Sequence, residues 1–130
     1  MKVQQLSAFL QNEPGSLLRL TGLLEEAGVN ISALSIAETE EYGVLRMIVS
    51  DNEKAAAALR KGGYSVRLTD VNCVVTPDVP GALCKALSLL AAKDINVSYM
   101  YGYSNAGKAY LIMKTNDAEE TARILDGAEW

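Results

Sequence analysis

The chain lacks histidine, the residue that most often carries acid–base chemistry and metal binding in enzymes. None of its 130 residues is a histidine, which disfavours hydrolytic triads and most transition-metal sites. Asp, Glu, Lys, Cys and Tyr remain, but no local motif places a nucleophile beside a base. We therefore predict a non-catalytic protein with no cofactor and no metal site.

Positive charge and long apolar runs are also scarce. The 12 Lys and Arg residues are outnumbered by 16 Asp and Glu residues, which gives a net charge of -4, and no basic cluster occurs. This balance argues against a nucleic-acid partner, which usually needs a positive face. No apolar run approaches the ~18 residues of a membrane span, and polar residues interrupt the start of the chain, unlike a signal peptide. We expect a cytoplasmic protein that makes no membrane contact.

Cysteine is rare as well. The two cysteines, Cys73 and Cys84, are not in a zinc-like spacing, and we interpret them as reduced thiols that act as small hydrophobic residues. Hydrophobic residues make up 49% of the chain and charged residues 22%, close to the averages of soluble globular proteins. The composition therefore predicts an ordered domain rather than a disordered segment.

The chain contains one sequence pattern twice. The pattern Asn/Asp-x-Pro-Gly-x-Leu recurs 66 positions later, and two further segments recur at the same offset. The matching segments are 12–17 with 78–83, 23–24 with 89–90, and 29–32 with 95–98. Past a loop taken to be two residues shorter in the second copy, Gly43 is matched with Gly107 and Asn52 with Asn116. Matches in one order at a nearly constant offset predict two homologous domains, 1–70 and 71–130.

Each copy predicts the order strand, helix, strand, strand, helix, strand. An apolar stripe with helical spacing follows each Pro-Gly pair, and alternating or β-branched segments flank the helices. In the first copy the predicted strands are 3–10, 29–39, 44–49 and 64–69, with a turn at 41–43. Its first helix begins at 16 and ends before Gly28, and its second is capped by 51–52 and ended by 62–63. In the second copy the predicted strands are 71–76, 95–103 and 109–113, with a turn at 105–107 and helices over 81–93 and 117–125.

This order predicts an α+β fold made of two ferredoxin-like βαββαβ units, each an antiparallel sheet with its helices on one face. The second unit lacks a full fourth strand. Asn116 is expected to cap its last helix. Its first helix is expected to turn one apolar face inward, formed by Leu83, Ala86, Leu87, Leu90 and Ala91.

The loop that joins the first strand to the first helix is the chemically suggestive element. Pro ends the strand, and Gly lets the backbone turn tightly and leaves room for another group. The N–H groups that open the helix are unpaired and lie at the positive end of its dipole, which suits a carboxylate. Asn12 or Asp78 offers oxygen acceptors for an ammonium group. Structural alternatives remain open: Asn12 and Asp78 as helix caps, and Asn30 and Asn96 as turn residues.

These motifs, in this order and twice, resemble the ACT domain. The resemblance implies regulatory modules of amino-acid metabolism that pair through sheets and helices and bind free amino acids at domain interfaces. It implies backbone contacts to the ligand near Gly15, Ser16 and Leu17, and near Gly81, Ala82 and Leu83. Asn12 and Asp78 occupy the polar position of the motif, and Val79 follows Asp78 in the second loop. Two further pairs would face such a site from a neighbouring domain: Asn30 with Ile31, and Asn96 with Val97.

The resulting hypothesis is a non-catalytic amino-acid sensor that regulates a metabolic enzyme or regulator. Four apolar residues at the expected sites favour an apolar ligand side chain: Leu17, Ile31, Leu83 and Val97. The two copies differ at several positions, so their sites are not expected to be equivalent. The alternative is a structural protein–protein interaction module that has lost ligand binding.

Two further features predict packing. Three tyrosines alternate along the second strand of the second copy and therefore share one sheet face. We place this face away from the helices, packed against the other repeat or a second chain; the alternative is that the tyrosines are simply exposed. Their counterparts in the first copy are small: Tyr99 with Ala33, Tyr101 with Ser35, and Tyr103 with Ala37.

The edge beside 71–76 has no complete fourth strand of its own. An exposed apolar edge invites pairing with another strand. We predict that a strand from the first repeat or from a second chain covers it, with a homodimer as the favoured outcome. The alternative is a short ladder made by 128–130, with the Trp130 ring shielding the rest.

Overall fold

A computed structural model of the chain describes residues 1–38 and 41–130. The described residues form two compact units. The first unit comprises 4–69, and the second comprises 1–3 together with 70–130. The elements are β1 (Lys2–Gln11), α1 (Ser16–Glu26), β2 (Ile31–Glu38), β3 (Tyr42–Val49), α2 (Asn52–Lys61), β4 (Val66–Pro77), α3 (Ala82–Ala91), β5 (Val97–Asn105), β6 (Lys108–Thr115) and α4 (Ala118–Asp126).

The first unit is an antiparallel sheet covered on one face by α1 and α2. Its strands follow the order β2-β3-β1-β4, and Leu6 of β1 lies opposite Met47 of β3. Alternate residues of each strand point to the helices because side chains alternate across a strand. The core therefore contains Leu6, Ala8, Leu10, Leu20, Leu24, Val29, Leu45, Met47, Val49, Ala55, Ala56 and Leu59.

The second unit repeats this plan with β4, β6 and β5 beneath α3 and α4. Asn72 lies opposite Met113, and Tyr101 lies opposite Ile112. The N–H of Cys73 donates to the Met1 carbonyl at 2.8 Å, so the first residues of the chain lie along the edge of β4 that the second copy leaves uncovered. The predicted α+β fold, including the missing fourth strand, is confirmed, and the strand that covers this edge comes from the start of the first repeat.

The hairpins correct the predicted alignment of the two copies. The N–H of Asn12 donates to the Glu41 carbonyl, and the N–H of Asp78 donates to that of Gly107, each at 3.0 Å. Gly107 is therefore equivalent to Glu41, not to Gly43, and the offset of 66 continues unbroken. The prediction that the second loop is two residues shorter was wrong. It rested on matching one glycine to another by residue type, whereas the pairing of the strands decides which residues of the two copies are equivalent.

One detail of each copy differs from prediction for the same reason. Tyr42 and Gly43 belong to β3 and not to a turn, since Gly43 pairs with Leu10. Residue 39, the predicted end of the second strand, lies outside the described residues. The cap of α4 is Asp117, whose side chain accepts from the Glu120 N–H at 3.0 Å, and not Asn116.

The buried face of α3 also differs from prediction. Leu83 is 41% exposed and Ala91 is exposed, whereas Ala82, Ala86 and Leu90 are buried. Every residue of α3 except Lys85 and Ser88 is apolar. The apolar pattern therefore cannot single out one face of this helix.

Within 1–38 and 41–130, no helix combines the length and apolar character needed to cross a membrane.

Candidate functional site

Both Pro-Gly loops place their glycine in the left-handed region at the start of a helix. Gly15 precedes α1 with a φ of +85°, and Gly81 precedes α3 with a φ of +90°. A Cβ atom at either position would meet nothing within 4 Å. Glycine is therefore required here by backbone conformation and not by crowding, and the space beside each loop is open to a ligand.

The helices that follow these loops have no side-chain cap, in contrast to the other two helices. Asp51 and Asp117 cap α2 and α4, each accepting a backbone N–H at 3.0 Å. No side chain caps α1 or α3 among the described residues. The first-turn N–H groups of α1 and α3 thus lack the acceptor that a helix N-terminus normally receives from a side chain.

In each loop, a backbone carbonyl accepts a hydrogen bond from the first of these N–H groups. The Ser16 N–H donates to the Glu13 carbonyl and the Ala82 N–H to that of Val79, both at 3.3 Å. Among the described residues, the next N–H group in each helix, on Leu17 and Leu83, has no acceptor. These are the donors that an anion beside the loop would meet.

Two clefts flank the loop of the first unit. The cleft on one side, here called the Asn12 cleft, has a volume of about 360 Å³ and is lined by Asn12, Leu17, Ile36 and Glu38, among others. The cleft on the other side, here called the aromatic cleft, has a volume of about 510 Å³. Its walls include Phe9, Gly15, Ser16, Arg19, Tyr42 and Tyr64.

The Asn12 cleft combines polar groups with an apolar wall. The Asn12 Nδ2 donates to Glu38 Oε2 at 3.3 Å, so the side-chain amide oxygen and the carboxylate lie together at its rim. Leu17 and Ile36 supply apolar surface beside them. This arrangement offers an acceptor for an ammonium group, a donor for a carboxylate, and a place for an apolar side chain.

The second unit carries its carboxylate at a different position. By the offset of 66, Asp78 replaces Asn12 and Ser104 replaces Glu38. The first loop therefore has two carboxylates beside it, Glu13 on the loop and Glu38 on the strand, whereas the second loop has Asp78 and carries Val79 where the first has Glu13. Asp78 and Val79 are both exposed.

The aromatic cleft is held by a contact that recurs in the second unit. The Arg19 guanidinium lies 5.2 Å from the centroid of the Tyr64 ring, and its Nη2 donates to the Gly62 carbonyl at 2.9 Å. At the equivalent positions, the Lys85 Nζ lies 5.7 Å from the centroid of the Trp130 ring. Cation–π contacts of this kind tie the first turn of each helix to a more distant part of its own unit.

Asn30 and Asn96 lie at the other end of the helices from the loops. The Asn30 N–H donates to Ser50 Oγ and the Asn96 N–H to Asn116 Oδ1, each at 2.9 Å. The 11 residues of α1 span about 16 Å at 1.5 Å per residue. A unit therefore does not bring its own asparagine to its own loop.

The neighbours of these asparagines turn toward the cores. Ile31 packs at the edge of the first core, and Val97 at the edge of the second. Both are partly buried, and neither reaches the loop of its own unit.

Sequence reasoning missed several residues of the two clefts, notably Ile36, Glu38, Arg19 and Tyr64. Ile36 and Glu38 reach the loop only through the pairing of β2 with β3 and of β3 with β1, which the pattern of one strand does not show. The Arg19–Tyr64 contact had a signal in the sequence, because a basic and an aromatic residue recur 66 positions later.

The tyrosines lie on the predicted face of the second sheet. Met100 and Met113 pack with the helices, so Tyr101 and its neighbour Ile112 point the other way. Tyr103 stacks on Tyr110 with ring centroids 5.0 Å apart and remains 45% exposed. The placement away from the helices is confirmed, and the surface against which the stripe packs stays a prediction.

Comparison with known proteins places the chain in a family. The model of the ACT domain pair matches residues 1–127. A solved protein from Bacteroides thetaiotaomicron is 39% identical and superposes with a TM-score of 0.93, covering 97% of this chain and 88% of that one. The acetolactate synthase small subunit of Buchnera aphidicola subsp. Baizongia pistaciae (strain Bp) is 25% identical over 119 residues, which are 90% of this chain and 75% of that protein.

A more distant neighbour shares the fold. The ligand-free regulatory subunit of aspartate kinase from Thermus thermophilus is 15% identical, with a TM-score of 0.71 over 95% of this chain and 90% of that one. The family match spans nearly the whole chain, and the two units repeat one plan with one loop motif. The chain belongs to the ACT domain pair family.

Proposed function

We propose that the protein is a non-catalytic sensor that binds a free amino acid at its Pro-Gly loops and regulates amino-acid metabolism through a partner protein. The observation that carries the proposal is the pair of uncapped helix starts, each preceded by a left-handed glycine and accompanied by at least one carboxylate. An amino acid presents the complementary groups, a carboxylate and an ammonium, on neighbouring atoms.

In the first unit the ligand carboxylate would accept from the Leu17 N–H, and its ammonium would donate to Glu38 or to the amide oxygen of Asn12. The apolar wall formed by Leu17 and Ile36 favours a ligand with an apolar side chain. In the second unit the carboxylate would accept from the Leu83 N–H, and Asp78 would receive the ammonium.

A neighbouring domain would complete each site. Asn30–Ile31 and Asn96–Val97 lie away from their own loops, so they would serve the loops of a second chain. We propose a homodimer, for which light scattering at micromolar concentration is the measurement. A strict monomer that still binds an amino acid would contradict the role of a second chain.

The partner is proposed to be a metabolic enzyme, in the cytoplasm. Support comes from relatives whose names describe a small subunit of acetolactate synthase and a regulatory subunit of aspartate kinase. Both descriptions concern subunits that accompany an enzyme.

A second candidate function is an interaction module without a ligand. It is favoured by the outer face of α3, where Leu83, Cys84, Leu87, Ser88 and Ala91 line an open apolar groove of about 480 Å³. Apolar surface of this kind often marks a protein contact.

A thermal-shift screen of the twenty amino acids separates the two candidates. A ligand that binds only the folded state stabilises it by about 2.7 kcal/mol at 100 times its Kd, so one or a few apolar amino acids should raise the melting temperature by several degrees. If no amino acid at millimolar concentration shifts the melting temperature, the interaction module is the better description.

A further inference from the structure

The second core contains a buried polar cluster where the first core is apolar. Asn72, Thr115 and Thr121 are at most 2% exposed. Their equivalents in the first unit, 66 positions earlier, are the buried residues Leu6, Val49 and Ala55. The three substitutions fall together, between the sheet of the second unit and α4.

Hydrogen bonds within this cluster attach α4 to the sheet. The hydroxyls of Thr115 on β6 and Thr121 on α4 lie 2.8 Å apart. The Asn72 Nδ2 on β4 donates to the Ala118 carbonyl at the start of α4, at 3.0 Å. Water can replace bonds of this kind when a helix moves away, so they resist release less than apolar contacts do.

One atom of the cluster favours release. The Asn72 Oδ1 is buried and has no hydrogen-bond partner among the described residues; the Asn52 Oδ1 in the first turn of α2 is in the same condition, so the Asn72 oxygen favours release of α4 but does not distinguish the two helices. A buried acceptor without a donor destabilises the closed arrangement. Moving α4 away would hydrate this oxygen and recover the lost bond.

The apolar contacts of the two helices also favour the release of α4 over that of α2. On α2 the buried residues are Ala55, Ala56 and Leu59, all apolar, whereas on α4 they are Thr121 and Leu125. Because the hydrophobic effect scales with the apolar area removed from water, α4 loses less than α2 when it separates from its sheet.

We infer that α4 is a releasable element: it separates from the second unit as one piece, without global unfolding and more readily than α2 separates from the first. The second unit thereby has a closed and an open conformation, of the local kind from which regulatory motions are drawn. This inference does not depend on ligand binding and stands or falls separately from the proposed function.

Hydrogen exchange of the whole wild-type chain, read by mass spectrometry under native conditions, tests the inference directly. The two helices each have an aspartate cap and nearly the same length, and the exposed ion pairs of α4 with Met1 and Lys2 act against the expected difference. After correction for intrinsic rates, amides of Ala118–Asp126 should exchange at least about tenfold faster than those of Asn52–Lys61. Equal protection, or slower exchange in α4, overturns the inference.

A double variant tests the cause. Asn72→Leu with Thr121→Ala installs the pair that the first unit holds at these positions. It should slow exchange in α4 at least threefold and leave α2 unchanged. Ser98→Ala, at an exposed site of the same unit, is the control and should change neither helix. If the double variant folds and its α4 exchanges as fast as that of the wild type, the polar cluster is not the cause of the release of α4. If the double variant does not fold, the comparison of α4 with α2 in the wild type still tests the inference.

Discussion

The two units share a plan and a loop motif but differ in how their sheets hold the second helix. The first unit packs α2 through Ala55, Ala56 and Leu59, and two clefts flank its loop. The second unit packs α4 partly through threonine hydroxyls and Asn72. The first unit thus has an apolar core, whereas the core of the second contains a cluster of buried polar side chains. Equivalent positions make this comparison open to direct test.

The largest expected effect comes from giving the first core the polar residue of the second. Leu6→Asn removes a fully buried leucine and places an amide among apolar side chains. It should lower the free energy of unfolding by about 3–5 kcal/mol, measured by urea denaturation. Leu18→Asn is the matched control, because Leu18 is 76% exposed, and should change stability by less than about 0.5 kcal/mol. A loss below about 1 kcal/mol for Leu6→Asn would show that the two cores tolerate polarity equally.

A smaller effect separates the capped helices from the uncapped ones. Asp51→Ala and Asp117→Ala each remove a side-chain acceptor from a helix N-terminus and should each destabilise the protein by about 1 kcal/mol. Ser16→Ala should be nearly neutral, since no side chain caps α1. Melting temperatures of the three variants give the measurement. A Ser16→Ala loss as large as that of the aspartate variants would mean that Ser16 caps α1 and that its N-terminus is not available to a ligand.

The smallest effect concerns the surface of α4. A hydrogen bond and charge attraction from Arg123 lower the pKa of Glu120. A lowered folded-state pKa contributes stability above the unfolded pKa and loses it as the pH falls through the folded value. Arg123→Met should return the Glu120 pKa toward its ordinary value, as followed by NMR titration of the carboxyl carbon. The first unit has Lys54 and Ala57 at these positions and so lacks the pair. An unchanged Glu120 titration would show that the pair does not form in solution.

Much of the fold could be predicted from the sequence because it depends on local signals that occur twice. The Pro-Gly loops, the left-handed Gly28 after α1 and the apolar stripe of α1 each have a local physical cause. The face of α3 could not be predicted, since nearly every residue of that helix is apolar. Gly107 was misaligned with Gly43 because residue type was used where strand register decides.

The candidate site was predictable only in part. Gly15 and Gly81 stand where the motif placed them, since their role depends on backbone conformation. Glu38 and Ile36 were missed because they approach the loop through pairing between strands. The buried cluster of Asn72, Thr115 and Thr121 had a signal in the sequence, three polar residues opposite three apolar ones at one offset, but its burial emerges only from the packing of α4.

The central claim is that the Pro-Gly loops bind an amino-acid carboxylate, and paired glycine variants test it most directly. Asn and Asp both tolerate the left-handed region and have nearly the same shape, so Gly15→Asn with Gly15→Asp, and Gly81→Asn with Gly81→Asp, differ only in charge. Isothermal titration calorimetry with the amino acid that most raises the melting temperature gives the affinity of each variant. At the loop that binds, the Asp variant should bind at least about tenfold more weakly than the Asn variant, a difference of about 1.4 kcal/mol. Equal affinity within both pairs would contradict the claim and place the ligand elsewhere.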